Sequence, residues 1–221
     1  MSDRSRILTD ADRQAVDALL THYAQGWFPM LDPDEEVVRW VQPSMRFLLP
    51  LEDGAFHIPR TLRSRVRAAR FEVTCDRAFE RVIRACAESR PGREETWLDP
   101  SIIDAFELLH RAGHAHSLEA WHHDELVGGL YGLCVGSVFC GESMFSRPHL
   151  GGTDASKVCL VHLVHHLRRC GFTLLDAQLH SDHLARFGAT EVPRARYLAM
   201  LRKAAPDHRD WLPFDPAVAR A

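Results

Sequence analysis

The segment Ala115–Phe145, AHSLEAWHHDELVGGLYGLCVGSVFCGESMF, contains three apolar stretches separated by short polar or glycine-containing turns. The polar HHDE turn joins AHSLEAW to LVGGLYGLCVG, which predicts an antiparallel pair of strands. SVFCGESMF predicts a third strand. Glycines inside the VGGLYG strand pattern indicate a bulge or a close backbone approach. The centre of the fold is therefore predicted to be a three-stranded antiparallel unit.

The elements on either side of this unit predict the fold class. An amphipathic helix over 155–170 and a strand in GFTLLDAQ follow it, and helices over 76–88 and 99–112 precede it. This order predicts an α+β fold with a central mixed sheet. WFPMLDPDEE, with two prolines, is predicted to be a loop. We expect a small α/β domain over 1–55, followed by a larger domain over 56–221.

Length and composition exclude several classes of protein. The chain has 221 residues, of which 46% are hydrophobic and 26% charged, as in ordinary globular proteins and unlike disordered chains. Apolar runs of about 18 residues are absent from the sequence, so no membrane partner is expected. The net charge of −3 is not the global basic charge of many nucleic-acid binders. Six cysteines without C-x-x-C spacing predict reduced thiols and a cytoplasmic location.

Three polar residues lie in or beside predicted strands. Glu142 has apolar neighbours, which favours an altered carboxyl pKa; an exposed glutamate at a strand end is the alternative. Asp176 and Gln178 are two residues apart in a predicted strand and are expected on one face. They either line a cleft or face solvent on a half-exposed strand.

Arginines are concentrated in IPRTLRSRVRAAR, where a helix is predicted over 58–69. Arg60, Arg63, Arg67 and Arg70 fall on or near one face, a pattern that suits phosphate contacts or an ordinary solvated surface. Trp97 follows in a predicted loop, where it could stack on a nucleobase or belong to the core.

Motifs for metals and phosphates are missing from the sequence. His162 and His166 have the i, i+4 spacing of a metal pair, but they lack the H-E-x-x-H pattern and carboxylate or cysteine partners at suitable spacing. Neither G-x-x-x-x-G-K-[ST] nor G-x-S-x-G occurs. We therefore expect no metal site.

Taken together in this order, AHSLE, LVGGLYG, FCGESMFS, ASK, LLDAQ and FGA form a specific combination, although each motif alone is weak. From about Tyr23 to Leu201 the chain resembles bacterial leucyl/phenylalanyl-tRNA–protein transferases. The resemblance implies transfer of Leu, Phe or Met from aminoacyl-tRNA to proteins with N-terminal Arg or Lys, in the N-degron pathway. It also implies a GNAT-like (acyl-CoA N-acyltransferase-like) catalytic domain. No metal or soluble cofactor is implied, because the aminoacyl ester is already activated. We expect a monomer.

The resemblance assigns roles to individual residues. Asp176 matches an aspartate that polarises a neighbouring glutamine, Gln178 matches that glutamine, and Glu142 matches a glutamate that helps to hold the reacting groups. Glu142 is also the leading candidate receiver for a basic N-terminal residue. The pocket for the transferred side chain is expected at Leu130, Phe139, Met144, Leu163, Leu167 and Leu175.

The tRNA contacts are also implied by the resemblance. Trp97 matches a tryptophan that stacks on the terminal adenine, and the arginine helix matches a basic segment facing the acceptor stem. Met30, in YAQGWFPM, stands where the family usually has a second tryptophan in contact with this adenosine. Leu163 and Leu167 stand where aromatic residues often occur in the pocket.

Two other functions are open from the sequence. A catalytically inactive or altered-specificity paralogue would bind tRNA or N-degrons, and Met30 favours it. An acyl-CoA-dependent GNAT acetyltransferase would need a pyrophosphate site before the long helix. The turn RPHLGGTDASK, with Gly151 and Gly152, is the candidate for that site.

Overall fold

A computed structural model describes residues 7–32, 34–88 and 98–220 of the chain. The α-helices are α1 (Asp10–Ala24), α2 (Arg60–Arg67), α3 (Phe79–Ala87), α4 (Pro100–Arg111), α5 (Ala155–Cys170), α6 (Asp182–Ala185) and α7 (Arg194–Ala204). The strands are β1 (Phe28–Asp32), β2 (Val37–Val41), β3 (Met45–Leu49), β4 (Glu72–Cys75), β5 (Ala115–His122), β6 (Glu125–Val135), β7 (Val138–Ser146), β8 (Leu174–Asp176) and β9 (Thr190–Pro193).

The main sheet has seven strands in the order β4-β5-β6-β7-β8-β3-β9. Its pairings are antiparallel except for β7 with β8, which are parallel and are connected through α5. The predicted three-stranded unit is β5-β6-β7, and the predicted α+β class with a central mixed sheet is confirmed. The connection from β7 to β8 has to be long because parallel neighbouring strands cannot be joined by a tight turn.

Helices cover both faces of the main sheet and create two apolar cores. One core joins residues of α1, α3, α4 and α7 to the sheet, and the other joins residues of α2 and α5 to it. Side chains of β5 divide between the two cores, with Trp121 in the first and Leu118 and Ala120 in the second. This division explains why β5 and β6 are buried along almost their whole length.

Gly132 lies at an irregularity in the β6–β7 pairing, where the register shifts between Tyr131 and Gly132. A Cβ at this position would lie 2.2 Å from the Cys140 carbonyl oxygen and 2.5 Å from the Phe139 ring. The predicted bulge and close backbone approach are therefore both present in β6.

Local sequence signals define the ends of the two central helices. The Asp99 carboxylate accepts a hydrogen bond from the Ser101 N–H at 2.8 Å, and Pro100 occupies the first turn of α4. Gly171, with φ of 77°, ends α5 in the left-handed conformation. Within the described parts of the chain, none of the helices has the length and apolar character needed to cross a membrane.

The N-terminal region differs from the prediction in one element. The segment predicted to be a loop contains β1, which pairs with β2 in a separate two-stranded sheet. Pro29 is accommodated because the other side of β1 needs no ladder partner in a two-stranded sheet. β3, also from residues 1–55, lies between β8 and β9 in the main sheet. The domain boundary at residue 55 stays a prediction.

Candidate active site

A cleft forms where the parallel pairing of β7 and β8 ends. The last pair is Cys140 with Asp176, and Glu142 and Gln178 each follow two residues later. The Gln178 side-chain N–H (Nε2) donates a hydrogen bond to Glu142 Oε1 at 2.7 Å. In α/β sheets, clefts at the carboxyl ends of parallel strands are preferred positions for ligands.

Glu142 is a buried carboxyl with unequal hydrogen bonding at its two oxygens. The Tyr23 hydroxyl donates to Oε1 at 3.0 Å, in addition to the bond from Gln178. Oε2 is buried and accepts no hydrogen bond from the described residues. Burial raises the pKa of Glu142 to about 7, although the hydrogen bonds from Gln178 and Tyr23 oppose the shift. A carboxyl with this pKa can exchange a proton near neutral pH.

Gln178 lies beyond the end of β8 and has a left-handed backbone, with φ of 64°. The prediction that strand alternation places Asp176 and Gln178 on one face is therefore wrong, because β8 ends at Asp176. Two hydrogen bonds set the backbone instead: the Gln178 N–H donates to Asp176 Oδ1 at 2.8 Å, and the Phe47 N–H donates to the Gln178 carbonyl at 3.2 Å. The resulting turn directs the side chain toward Glu142.

Asp176 is completely buried and is held by several donors. Arg46 donates from Nε to both carboxylate oxygens, at 2.9 Å each, and from Nη2 to Oδ2 at 2.7 Å. The Tyr197 hydroxyl donates to Oδ2 at 2.7 Å. The Asp176 carboxylate thus contacts the backbone N–H of Gln178. The resemblance instead implied a carboxylate that polarises the glutamine side chain. That polarising role stays a prediction.

An apolar cavity of about 250 Å³ lies beside Glu142. Four of the six predicted pocket residues line it, namely Leu130, Met144, Leu163 and Leu175. Leu49, Leu160 and Leu184 complete much of the apolar wall, while Tyr131, Asp176, Ser181 and His183 add polar atoms. The cavity is therefore suited to the apolar side chain of a substrate whose polar groups lie near Glu142.

Phe139 and Leu167 do not line this cavity in the described structure, so their predicted place in it needs correction. Both are fully buried in the core formed with α5. The Phe139 ring lies against Gly132 and is 5.7 Å from the Trp211 ring centroid. The Phe139 ring, which the resemblance placed in the pocket, instead occupies the space next to Gly132, which has no side chain.

A second cavity, of about 190 Å³, shares Glu142 with the first. It is lined by Met30, Glu142, Ala177, Gln178 and Leu179. Met30, predicted from the resemblance to contact the terminal adenosine, thus lies beside the Glu142–Gln178 pair. The two cavities place apolar walls around one carboxyl–amide pair.

The arginine segment is exposed on the protein surface. Arg60, Arg63 and Arg67 lie on α2 and line a depression of about 400 Å³. Arg70 follows the end of α2 and lies outside the helix. Trp97, the predicted adenine-stacking residue, lies outside the described residues.

The family model described as leucyl/phenylalanyl-tRNA protein transferase matches residues 48–202. The chain belongs to this family. A leucyl/phenylalanyl-tRNA--protein transferase of Novosphingobium aromaticivorans is 50% identical over 204 residues, which cover 92% of this chain and 74% of that protein. The transferase of Paramagnetospirillum magneticum is 52% identical over 190 residues, covering 86% and 88% of the two chains. The Salinibacter ruber transferase is 50% identical over 208 residues, covering 94% and 88%.

Among solved structures, FemX has a similar fold. The TM-score is 0.52 at 14% sequence identity, with 80% of this chain and 66% of the FemX chain covered. At this identity the similarity concerns the fold alone. The predicted GNAT-like architecture agrees with it.

The leucyl/phenylalanyl-tRNA protein transferase match contains Glu142, Asp176 and Gln178, while Tyr23 and Arg46 precede it. Sequence reasoning gave no role in the site to Tyr23, Arg46 or Tyr197. An arginine beside Met and Phe in a short strand is typical of an exposed face. Its pairing with a residue 130 positions away leaves no local signal.

A further cavity, of about 890 Å³, lies outside the candidate active site. It is lined by α1, the ends of β5 and β6, and residues 205 and 208–211. His116 lies on its wall with Nδ1 2.8 Å from the Asp76 carboxylate. Of the described candidate site residues, none lines this cavity.

Proposed function

We propose that this chain transfers Leu, Phe or Met from aminoacyl-tRNA to the α-amine of proteins with N-terminal Arg or Lys, marking them for degradation in the N-degron pathway. The observation that carries the proposal is the Glu142–Gln178 pair between an apolar cavity and a second opening. Membership of the leucyl/phenylalanyl-tRNA protein transferase family supports the donor class.

The donor is an ester, so the reaction needs position and proton handling more than further activation. The side chain of the transferred residue enters the apolar cavity, where burial of apolar surface contributes about 25 cal/mol per Å². This places the ester carbonyl near Glu142 and Gln178. Holding ester and amine together supplies much of the rate of such a reaction.

Gln178 and Glu142 then act on the acceptor amine. The Gln178 amide gives its N–H to Glu142, which leaves its oxygen as an acceptor for an N–H of the amine. Nitrogen attacks the ester carbon, the bond to the ribose oxygen breaks, and one amine proton ends on that oxygen. Glu142, with its pKa of about 7, is the group suited to take up and return a proton.

The preference for a basic acceptor is assigned to the second oxygen of Glu142. Oε2 is buried and accepts no hydrogen bond from the described residues. A cationic N–H donor would satisfy it, and hydrogen bonds to charged groups are stronger than neutral ones. Arg60, Arg63 and Arg67 supply positive charge for the tRNA backbone on another surface.

The N-terminus of α5 argues against the acyl-CoA alternative. Asp154 precedes the helix and is paired there with Lys157 and Arg65. The Ser156 N–H already donates to the Ser146 hydroxyl at 2.9 Å. A carboxylate at this position opposes the pyrophosphate that a coenzyme A site has to bind.

A transfer assay tests the proposed function. The purified protein is mixed with tRNA charged with labelled Leu, Phe or Met, and with peptides that begin with Arg, Lys, Asp, Glu or Ala. We expect label on Arg and Lys peptides only. Label on acidic peptides alone would overturn the acceptor assignment. Binding of charged tRNA without transfer would support the inactive paralogue. Size-exclusion chromatography of the purified protein tests the proposed monomer, and fractionation of cells that produce it tests the proposed cytoplasmic location.

A further inference from the structure

Arg46 and Asp176 form an ion pair that is almost completely removed from solvent. Their side chains are 2% and 0% exposed. Burying two charges costs about as much as their attraction returns, so a buried pair is weak support for stability alone. The contacts of this pair instead lead directly to the candidate active site.

The Arg46 guanidinium has one well-defined orientation. Nε and Nη2 donate to Asp176, and Nη1 donates to the Gly26 carbonyl at 3.1 Å. The guanidinium carbon lies 4.7 Å from the Phe28 ring centroid and 4.6 Å from that of Tyr197. Hydrogen bonds and the two aromatic rings thus hold the planar guanidinium in place. The guanidinium in turn fixes the orientation of the carboxylate that it binds. At 1% exposure, Arg46 cannot itself reach a substrate.

Asp176 transmits this orientation to Gln178. One carboxylate oxygen accepts the Gln178 N–H at 2.8 Å, while the other accepts the Tyr197 hydroxyl at 2.7 Å. Left-handed φ is unfavourable for a residue with a side chain, so the conformation of Gln178 has to be held by its surroundings. The same turn places the Gln178 amide against Glu142.

We propose that Arg46 and Tyr197 are positioning residues, which act through Asp176 to hold Gln178 in the orientation that presents its amide to the acceptor amine. This proposal rests on the proposed aminoacyl transfer. It adds two residues, from β3 and α7, that lie outside the reacting groups.

The first test separates kcat from KM. Arg46→Lys keeps the charge and loses the fork, and Tyr197→Phe removes a single hydroxyl. Since an error of about 1 Å in position can cost about a hundredfold in rate, we expect kcat to fall about a hundredfold for Arg46→Lys and about tenfold for Tyr197→Phe. The KM values for peptide and aminoacyl-tRNA should stay close to those of the unmodified protein. Arg84→Lys, at an exposed arginine paired with Glu107, is the matched control and should leave kcat unchanged.

The second test does not depend on activity. Hydrogen exchange of the Gln178 backbone N–H, followed by NMR, reports its bond to Asp176. In both variants this amide should exchange at least about tenfold faster, while amides of the central strand β6 keep their protection. A purely structural role would speed both sets in parallel and would overturn the proposal. A folded Arg46→Lys protein with unchanged kcat and unchanged Gln178 exchange would also overturn it.

The two tests separate the possible failures. Absence of transfer by the unmodified protein would refute the proposed function. The exchange of Gln178 in the two variants would still decide whether Arg46 and Tyr197 hold it.

Discussion

At the level of single residues, the properties of Glu142 come from contacts made by distant parts of the chain. Its carboxyl receives Tyr23 from α1 and Gln178 from beyond β8 on one oxygen. Burial is the largest cause of the raised pKa of this carboxyl. A residue that resembles an ordinary strand glutamate in the sequence thus has a carboxyl suited to proton exchange at neutral pH.

Glu142→Gln tests this carboxyl through the pH dependence of stability. The pKa is raised from 4.5 to about 7 on folding, so the folded protein holds a proton that the unfolded chain has lost between these values. Stability should therefore decrease as pH rises from about 4.5 to about 7, by about 3 kcal/mol in total. Glu142→Gln should lose this component when free energies of unfolding are measured across that range. Parallel curves for the two proteins would refute the raised pKa.

The pH profile of kcat should lose its inflection near pH 7 in the Glu142→Gln variant.

Gln178→Ala should lower transfer and leave the fold intact, because it removes one side-chain hydrogen bond.

Asp176→Ala tests the buried ion pair. Asp176→Ala leaves the Arg46 guanidinium buried without its partner, and should lower the free energy of unfolding by about 3–5 kcal/mol. Denaturant unfolding measures the loss. The control is Glu72→Ala, which breaks an exposed pair with Arg77 and should cost about 1 kcal/mol or less. Equal effects of the two substitutions would contradict the buried pairing.

At the level of elements, the site depends on a change in strand pairing. β7 and β8 are paired only as far as Cys140 and Asp176. Beyond this point the chain after β8 turns away with a left-handed residue, and Glu142 and Gln178 meet across the opening. α5, which joins the two strands, supplies Leu160 and Leu163 to the cavity wall. The β7–α5–β8 unit therefore brings Glu142 and Gln178 together and supplies part of the pocket wall.

The exposed arginines of α2 should determine how tRNA binding responds to salt. Arg63→Gln and Arg67→Gln each remove one charge from the depression on α2. If each arginine neutralises one phosphate, each variant should reduce the slope of log K against log salt by about 0.7–0.9. Binding of aminoacyl-tRNA across a salt series measures this slope, with Arg84→Gln as a control for an arginine on another helix. Unchanged slopes would place the tRNA on a different surface.

At the level of the whole molecule, the N-terminal region and the main sheet share a core. β3 lies between β8 and β9, and Tyr23 of α1 packs with residues of α4 and β6. The Arg46–Asp176 pair joins β3 to β8 in the same region. The candidate site is therefore built from both of the domains that the sequence suggested.

Much of the fold follows from local patterns. The apolar segments of β5, β6 and β7, the helix of α5 and the stop at Gly171 depend on periodicity, turn residues and helix termini, all of which act over a few residues. β1 was missed because Pro29 and Pro33 indicated a loop, and tertiary pairing with β2 overrode that signal. Phe139 was placed in the pocket by the family resemblance, and nothing local in the sequence shows that its ring lies against Gly132 instead.

The sequence by itself determined the family and the identity of Glu142, Asp176 and Gln178 as candidate residues, because these depend on motifs that are continuous in the chain. Only the tertiary structure decided how the three are connected. Tyr23, Arg46 and Tyr197 reach them from 119, 130 and 21 positions away. Contacts between such distant residues arise from sheet order and helix packing, and the burial that raises the pKa of Glu142 exists only once those layers have closed around it.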